Sequence, residues 1–380
     1  MNRRRILQTG AATILIGGSL SACSRHLSST QVWRDLPQGY DDPRMTALAS
    51  AILAPSPHNR QPWLIELDSN DGMTLYPDLS RLLPQTDPLN RQIVIGLGAF
   101  IEALSLAAAD QSRSLGVVAF PDGAAEVGLD DRPIAKFVLG AVGSAQPDNL
   151  FAALRNRRTN RIPFADRPVP NETLAAIGNV LASSSTLWGA TSNAPQTAAL
   201  RGHCDAGWII EMTTPRTHLE SVSLTRIGGA EVDANPDGIS LTGLGIDLYS
   251  SLGLLTRDKM KNPDARAFKM AKTFYADLID SARSFGWLVT SDNSRQSQLG
   301  AGRDWLRIHL AATQAGIAFQ PFSQVLQEFP EMAAQFSAVH ELLSVEAPAQ
   351  IQGLFRLGYA KNPKPSPRWP LQTRVIEVPA

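Results

Sequence analysis

Two short stretches of this chain concentrate side chains that could hold a ligand. One is Arg155-Asn156-Arg157-Arg158-Thr159-Asn160-Arg161, followed by Ile162-Pro163-Phe164. Guanidinium forks bind phosphate oxygens bidentately, and a threonine hydroxyl adds a short donor. Read as the end of a helix that stops before the proline, the stretch sets Arg157 and Arg161 one turn apart, able to close on one anion. A lone arginine run is more often a solvated basic face, so the anion reading needs a second observation. The other stretch is Pro55-Ser56-Pro57-His58-Asn59-Arg60-Gln61-Pro62-Trp63. Its prolines enforce a stiff, non-helical loop. Ser56, Asn59 and Gln61 then offer donors and acceptors at fixed positions, as a heteroaromatic ring with carbonyl and N–H edges requires. The plain alternative is a loop in which Ser56 or Asn59 caps its own backbone.

Other chemistries find less support. The chain lacks Cys-x-x-Cys and His-Glu-x-x-His, and its two cysteines are Cys23 and Cys204. His203-Cys204-Asp205 are adjacent, and neighbouring side chains rarely converge on one ion, so no metal is expected. The 380 residues carry formal net charge zero, which argues against a nucleic-acid partner. Beyond the N-terminus no second apolar run is read as a membrane span.

The elements that must position the two stretches show an internal repeat. Gly98, seven residues, then Leu106-Ala107-Ala108 matches Gly302, seven residues, then Leu310-Ala311-Ala312. In the first copy Ile93, Leu97, Ile101, Leu104 and Ala108 recur at helical spacing, a broad apolar face. Chance likeness of two buried helices is the alternative. Strand-like runs occur at 63–67, 117–120, 135–139, 286–290 and 352–357, separated by long helical patterns. An α+β architecture of two half-copies, helices packed on a sheet in each, fits this order. The halves are expected at 45–147 and 148–380, divided by a linker near Gly140 to Pro147.

The N-terminus reads as an address. Arg3-Arg4 before Ile6-Leu7, a short apolar stretch, and Leu20-Ser21-Ala22-Cys23 resemble a twin-arginine export signal ending in a lipobox. Residues 1–23 are therefore expected to be a signal, with Cys23 lipidated, and 24–44 a polar tether. The implied location is the periplasm or cell envelope.

Arg-Arg-Thr-x-Arg and Pro-Ser-x-x-Asn-x-Gln-Pro-Trp together resemble signature segments of the FMN-dependent nitroreductase family. The order departs from that family, in which the arginine motif comes first in one chain and each FMN lies between two chains. Here each half carries only one of the two segments, which resembles the fused, Acg-type branch with one composite FMN site. Phe355-Arg356-Leu357-Gly358-Tyr359 resembles that branch's C-terminal segment. The resemblance implies that Arg157, Arg158, Thr159 and Arg161 meet the phosphate and ribityl chain. It implies that Pro55, Ser56, Asn59 and Gln61 meet the isoalloxazine, and that Arg368 reaches the phosphate. Gly316 to Pro321 is implied to lie near the reactive edge. No catalytic acid or base stands out.

Residues 216–283 have no counterpart in the first half. An insertion this long is seldom idle, and the resemblance implies a lid over the flavin; a surface decoration or oligomer contact is the alternative. Two functions remain in play. One is an FMN-dependent oxidoreductase acting on a nitro-aromatic or quinone-like acceptor. The other is a protein that stores FMN under the lid without turnover. A monomer that mimics a dimer is expected.

Overall fold

The computed structural model describes residues 28–34, 40–68 and 71–377. Cys23 and the expected signal lie outside the described residues. In chain order the helices are α1 (Pro43–Ala51), α2 (Arg91–Asp110), α3 (Asn171–Gly178), α4 (Ala194–Thr213), α5 (Pro215–Ser223), α6 (Gly229–Ala234), α7 (Leu244–Ser251), α8 (Arg257–Lys261), α9 (Arg266–Asp280), α10 (Arg295–Gln314) and α11 (Ala333–Leu342). The strands are β1 (Trp63–Leu67), β2 (Gly72–Pro77), β3 (Leu115–Ala119), β4 (Ala135–Leu139), β5 (Leu187–Thr191), β6 (Thr225–Ile227), β7 (Ile239–Leu241), β8 (Ser284–Thr290), β9 (Ala318–Pro321), β10 (Gln350–Gly358) and β11 (Val375–Ile376).

Two larger sheets carry the architecture, ordered β11-β1-β2-β4-β3 and β5-β8-β10-β9. Set β11 aside and the two have one topology. In each, the first strand pairs with the second, the second with the fourth and the fourth with the third, every pair antiparallel. A 20-residue helix joins the second strand to the third in both, α2 in one half and α10 in the other. This is the duplication expected from the repeat, in an α+β frame.

The repeated glycines explain how the halves join. A Cβ on Gly98 would collide with Leu299 O, and one on Gly302 with Ile95 O. The two helices therefore cross at their matched glycines, backbone against backbone, a contact only residues without side chains allow. Beside the crossing, buried Glu102 on α2 holds Arg303 (2.8 Å) and Arg307 (2.7 Å) of α10. α2 is also long and apolar enough to cross a membrane, contrary to the expectation of no such run, yet most of it is buried in the protein core. The last strand ties the halves again: β11 leaves the second half and pairs in parallel with β1.

The expected tether is corrected at its centre. Residues Ser28–Trp33 form a 3-10 helix packed on the body, with Ser29, Thr30 and Trp33 buried. An indole sheltered from water gains far more than a polar linker could.

Candidate functional site

The loop after α1 is held in a costly shape. His58 (φ 46°), Asn59 (φ 52°) and Gln61 (φ 52°) all adopt the left-handed region without being glycine, a conformation that persists only where surroundings over-determine it. Here they do. The Gln61 N–H donates to Ser56 Oγ (2.9 Å). The Gln61 amide donates to Asn59 O (3.2 Å) and Pro236 O (2.7 Å), and its oxygen accepts from the Trp369 N–H (2.9 Å). Asn59 Nδ2 donates to Pro367 O (3.0 Å).

Arg368 completes the hold. It spends all five guanidinium N–H groups on Ile52, Leu53, Ala54 and Pro367 carbonyls and on Asn59 Oδ1. The first three carbonyls end α1, where a cation also meets the negative end of the helix dipole. Asn59, Gln61 and Arg368, expected at or near a ligand, here have their polar groups engaged by the loop, the insertion and the C-terminal segment. Among the described residues the Ser56 hydroxyl accepts from Gln61 and donates to no acceptor.

The arginine stretch is also reshaped. A 3-10 helix, Asn149–Asn156, ends before it, and Arg157 is extended (φ −61°, ψ 126°). Arg157 and Arg161 are thus not one helical turn apart, because 157–161 runs along β9 instead. Thr159 bridges to Phe319, the Asn160 N–H donates to Phe319 O (3.0 Å), and Asn160 Nδ2 donates to Lys361 O (3.1 Å). This brings 318–321 beside the arginine stretch.

Loop and arginine stretch converge on the end of α1. Arg157 Nη2 donates to Leu53 O (3.0 Å), a carbonyl that Arg368 Nη2 also reaches (3.3 Å). Arg158 Nη1 donates to the Arg155 and Arg157 carbonyls, leaving its other N–H groups. Arg157 is 3% exposed and its buried Nε has no partner among the described residues. Thr159 is half-buried, and Arg161 is exposed.

Charge is the distinguishing feature. Among the described residues, none of Arg157, Arg158, Arg161 or Arg368 forms an ion pair with a carboxylate. Burial, then the neighbouring Arg158, pushes Arg157 down to about 9. Arg368 is held well below its usual range by burial and by Arg157 and Arg158. His309, buried on α10 and stacked on Phe319 (4.1 Å), is pushed down by burial and Arg157. A guanidinium does not release its proton in water, so these directions report buried charge first and mutual repulsion of the arginines second, both of which an anion would relieve.

Several residues here carried no signal in the sequence. Trp33 receives the Cζ atoms of Arg158 (4.7 Å), Arg368 (5.2 Å) and Arg157 (5.8 Å) over its ring. Such contacts are attractive but leave the charge in place. The strap that carries Trp33 is tied down by the Arg368 N–H to Ser29 O (2.9 Å), by Trp33 Nε1 to Ser366 O (2.8 Å) and by Ser29 Oγ to Asp233 Oδ1 (2.8 Å). The insertion meets the loop at Asp237, which is buried and accepts from Arg60 (3.3 Å), Arg81 (2.7 Å) and Arg226 (2.7 Å). Only His309 offered a hint, as a polar residue within a buried helical repeat.

No family model matches the chain. "Putative NAD(P)H nitroreductase Rv3131" of Mycobacterium tuberculosis is 24% identical over 348 residues, covering 88% of this chain and 91% of that protein. "Uncharacterized protein Rv3127" of the same organism is 31% identical over 133 residues, 32% of this chain and 36% of that relative, so the match spans about a third of its length. "Putative NAD(P)H nitroreductase acg" is 33% identical over 127 residues, again 36% of the relative. Among solved structures, the FMN-dependent nitroreductase NfnB from Mycobacterium smegmatis in complex with NADPH aligns at 19% identity and TM-score 0.37, covering 58% of this chain and 94% of that one. A nitroreductase with bound FMN from Bacteroides fragilis aligns at 13% identity and TM-score 0.33, covering 56% and 89%. Over most of its length the chain is thus similar in sequence to one protein described as a putative nitroreductase, and over about a third of its length to a second.

Proposed function

We propose that this chain is a nitroreductase-type flavoprotein of the fused, Acg-like branch, with one FMN held between its two halves. The observation that carries the reading is the cluster of Arg157, Arg158 and Arg368 around Trp33, with no carboxylate partner among the described residues, and with Arg161 further along the same stretch. The free donors fit a phosphate monoester: Arg157 Nε, the remaining N–H groups of Arg158, Arg161, and the Thr159 hydroxyl. Ser56 and the rigid loop backbone would orient the ring. FMN supplies the redox chemistry, as a two-electron carrier between a donor and an acceptor, and the protein supplies position and electrostatics. The relatives' names suggest NAD(P)H as donor, and a nitro-aromatic or quinone-like molecule is the proposed acceptor.

The twin-arginine and lipobox features support export and lipidation at Cys23, with the folded chain acting as a monomer at the cell envelope. Mass spectrometry of the membrane fraction tests this: an acylated N-terminal Cys23 is expected, and a soluble protein retaining Met1 overturns it.

The test of the main reading is the visible spectrum of the purified chain from Ser24 onward, followed by release and identification of the chromophore. One FMN per chain is expected, lost in Arg158→Ala. A colourless protein that cannot be reconstituted with FMN overturns the reading. The alternative is an FMN-storing protein without turnover. Anaerobic NADPH separates the two: bleaching by NADPH supports turnover, and bleaching by dithionite alone supports storage.

A further inference from the structure

The insertion presents an apolar face that the rest of the described chain does not cover. No residue of α7 is buried. Leu244, Leu248 and Leu252 follow one another at four-residue steps and are 76%, 56% and 62% exposed. Leu254 and Tyr249 beside them are also exposed, as are Met270 and Phe274, one turn apart on α9. Single exposed leucines are ordinary, but a helix whose whole apolar stripe faces water requires an occupant.

Charge and chain connection identify it. Across α7–α9 six cations stand against five carboxylates (Asp247, Asp258, Asp264, Asp277 and Asp280). The cations concentrate between Arg257 and Lys272, where Arg257 pairs with Glu231 and Lys261 with Asp258, while Lys269 and Lys272 form no ion pair among the described residues. Four of the chain's seven lysines fall in this stretch, all of them exposed. Exposed leucine and aromatic side chains interleaved with lysines match the lipid–water boundary, where the apolar groups enter and the ammonium groups reach the headgroups. The N-terminal strap leads to the same place. Ser29 is bound to Asp233 of α6, and the Gly229 N–H that opens α6 donates to Asp247 of α7 (3.2 Å). Cys23 precedes Ser29 by six residues, about 20 Å when fully extended, so an anchor at Cys23 stays near this face.

We infer that the exposed leucine stripe of α7, with the lysine-bearing stretch that follows it, docks on an anionic lipid bilayer; that this is a second membrane contact rests on the lipid anchor proposed at Cys23. A single attachment binds a membrane only marginally, and two together bind stably. This inference does not depend on the flavin.

The test uses the non-lipidated chain from Ser24, which keeps every described residue, and sedimentation with vesicles of phosphatidylglycerol and phosphatidylethanolamine at 1:3. Partition into these vesicles is expected, weaker on phosphatidylcholine alone and in high salt. Leu248→Ser with Leu252→Ser should lower it by about tenfold or more. Lys269→Gln with Lys272→Gln should remove the preference for phosphatidylglycerol while leaving the melting temperature unchanged, because both side chains are exposed. Absence of binding by the parent chain overturns the inference, as does binding indifferent to both pairs of substitutions. A dimer in sedimentation velocity that dissociates in the leucine variant would assign the face to a second copy instead.

Discussion

The loop 55–61 and the stretch 157–161 lie against the same helix end and use their polar groups in opposite ways. The loop spends them internally. Asn59 and Gln61, with Arg368 from the far end of the chain, satisfy one another and the carbonyls that close α1. The arginine stretch makes backbone bonds to β9 and leaves guanidinium N–H groups and positive charge unmatched. Both segments are polar in sequence, but the first builds the rigid wall and the second holds the capacity to bind. A buried donor left without a partner costs about 1–3 kcal/mol, and buried charge costs more. A stable protein keeps such a feature where a ligand repays it.

The sharpest way to break this contrast is to exchange the expected phenotypes. Arg368→Ala should act on stability first, since it removes the side-chain donor to the Ile52 and Ala54 carbonyls and to Asn59 Oδ1 in a buried region, while Leu53 O keeps Arg157. A loss of about 3 kcal/mol or more is expected, read as a drop in the denaturation midpoint of the ligand-free protein. An unchanged midpoint with weakened FMN binding would return Arg368 to the phosphate and erase the distinction.

Arg158→Ala and Arg161→Ala should do the reverse. Each removes a cation that has no carboxylate partner among the described residues, so the ligand-free protein should lose little stability. FMN affinity should fall about 10–100-fold, the worth of one charge-assisted contact, measured by fluorescence titration of the stripped protein. Trp33→Ala ranks below these. The indole covers the guanidinium cluster without neutralising it, so its removal should speed FMN release by about tenfold, in a stopped-flow dilution experiment. Slower release or tighter binding would mean that Trp33 competes with the ligand.

What the sequence disclosed follows the range of the interactions. The helices α2 and α10 were legible because their apolar period is local, and their matched glycines pointed to a shared crossing. β1 and β4 were legible as short apolar runs. β2, β5 and β9 were not, because Gly72–Pro77, Leu187–Thr191 and Ala318–Pro321 are short and mix polar or small residues. β11 has only two residues and exists through its pairing with β1. In the site, residue type identified the arginines and the stiff loop. It could not reveal that Arg368 is used up on carbonyls more than 300 positions away, nor that a presumed tether supplies Trp33. Those partners are backbone atoms or distant rings, which leave no mark in local composition.

His58 offers the most direct link between the two segments. It sits in the loop, with a buried, partnerless Nδ1, yet it senses the arginine stretch. Burial, then Arg161 and Arg60, lowers it to about 4 from 6.5. A base whose folded value is depressed binds fewer protons in the fold than in the unfolded chain. Its contribution to stability is therefore complete above about pH 6.5 and declines as pH falls toward about 4. His58→Gln should flatten this part of the stability profile by up to about 3 kcal/mol, in chemical denaturation at stepped pH. Arg161→Gln should raise the His58 value in an NMR titration, because one of its cationic neighbours is gone. FMN bound beside Arg161 should raise it too, by placing phosphate charge in the same field. If neither change moves His58, the arginine stretch and the loop do not share an electrostatic site, whatever their proximity along α1.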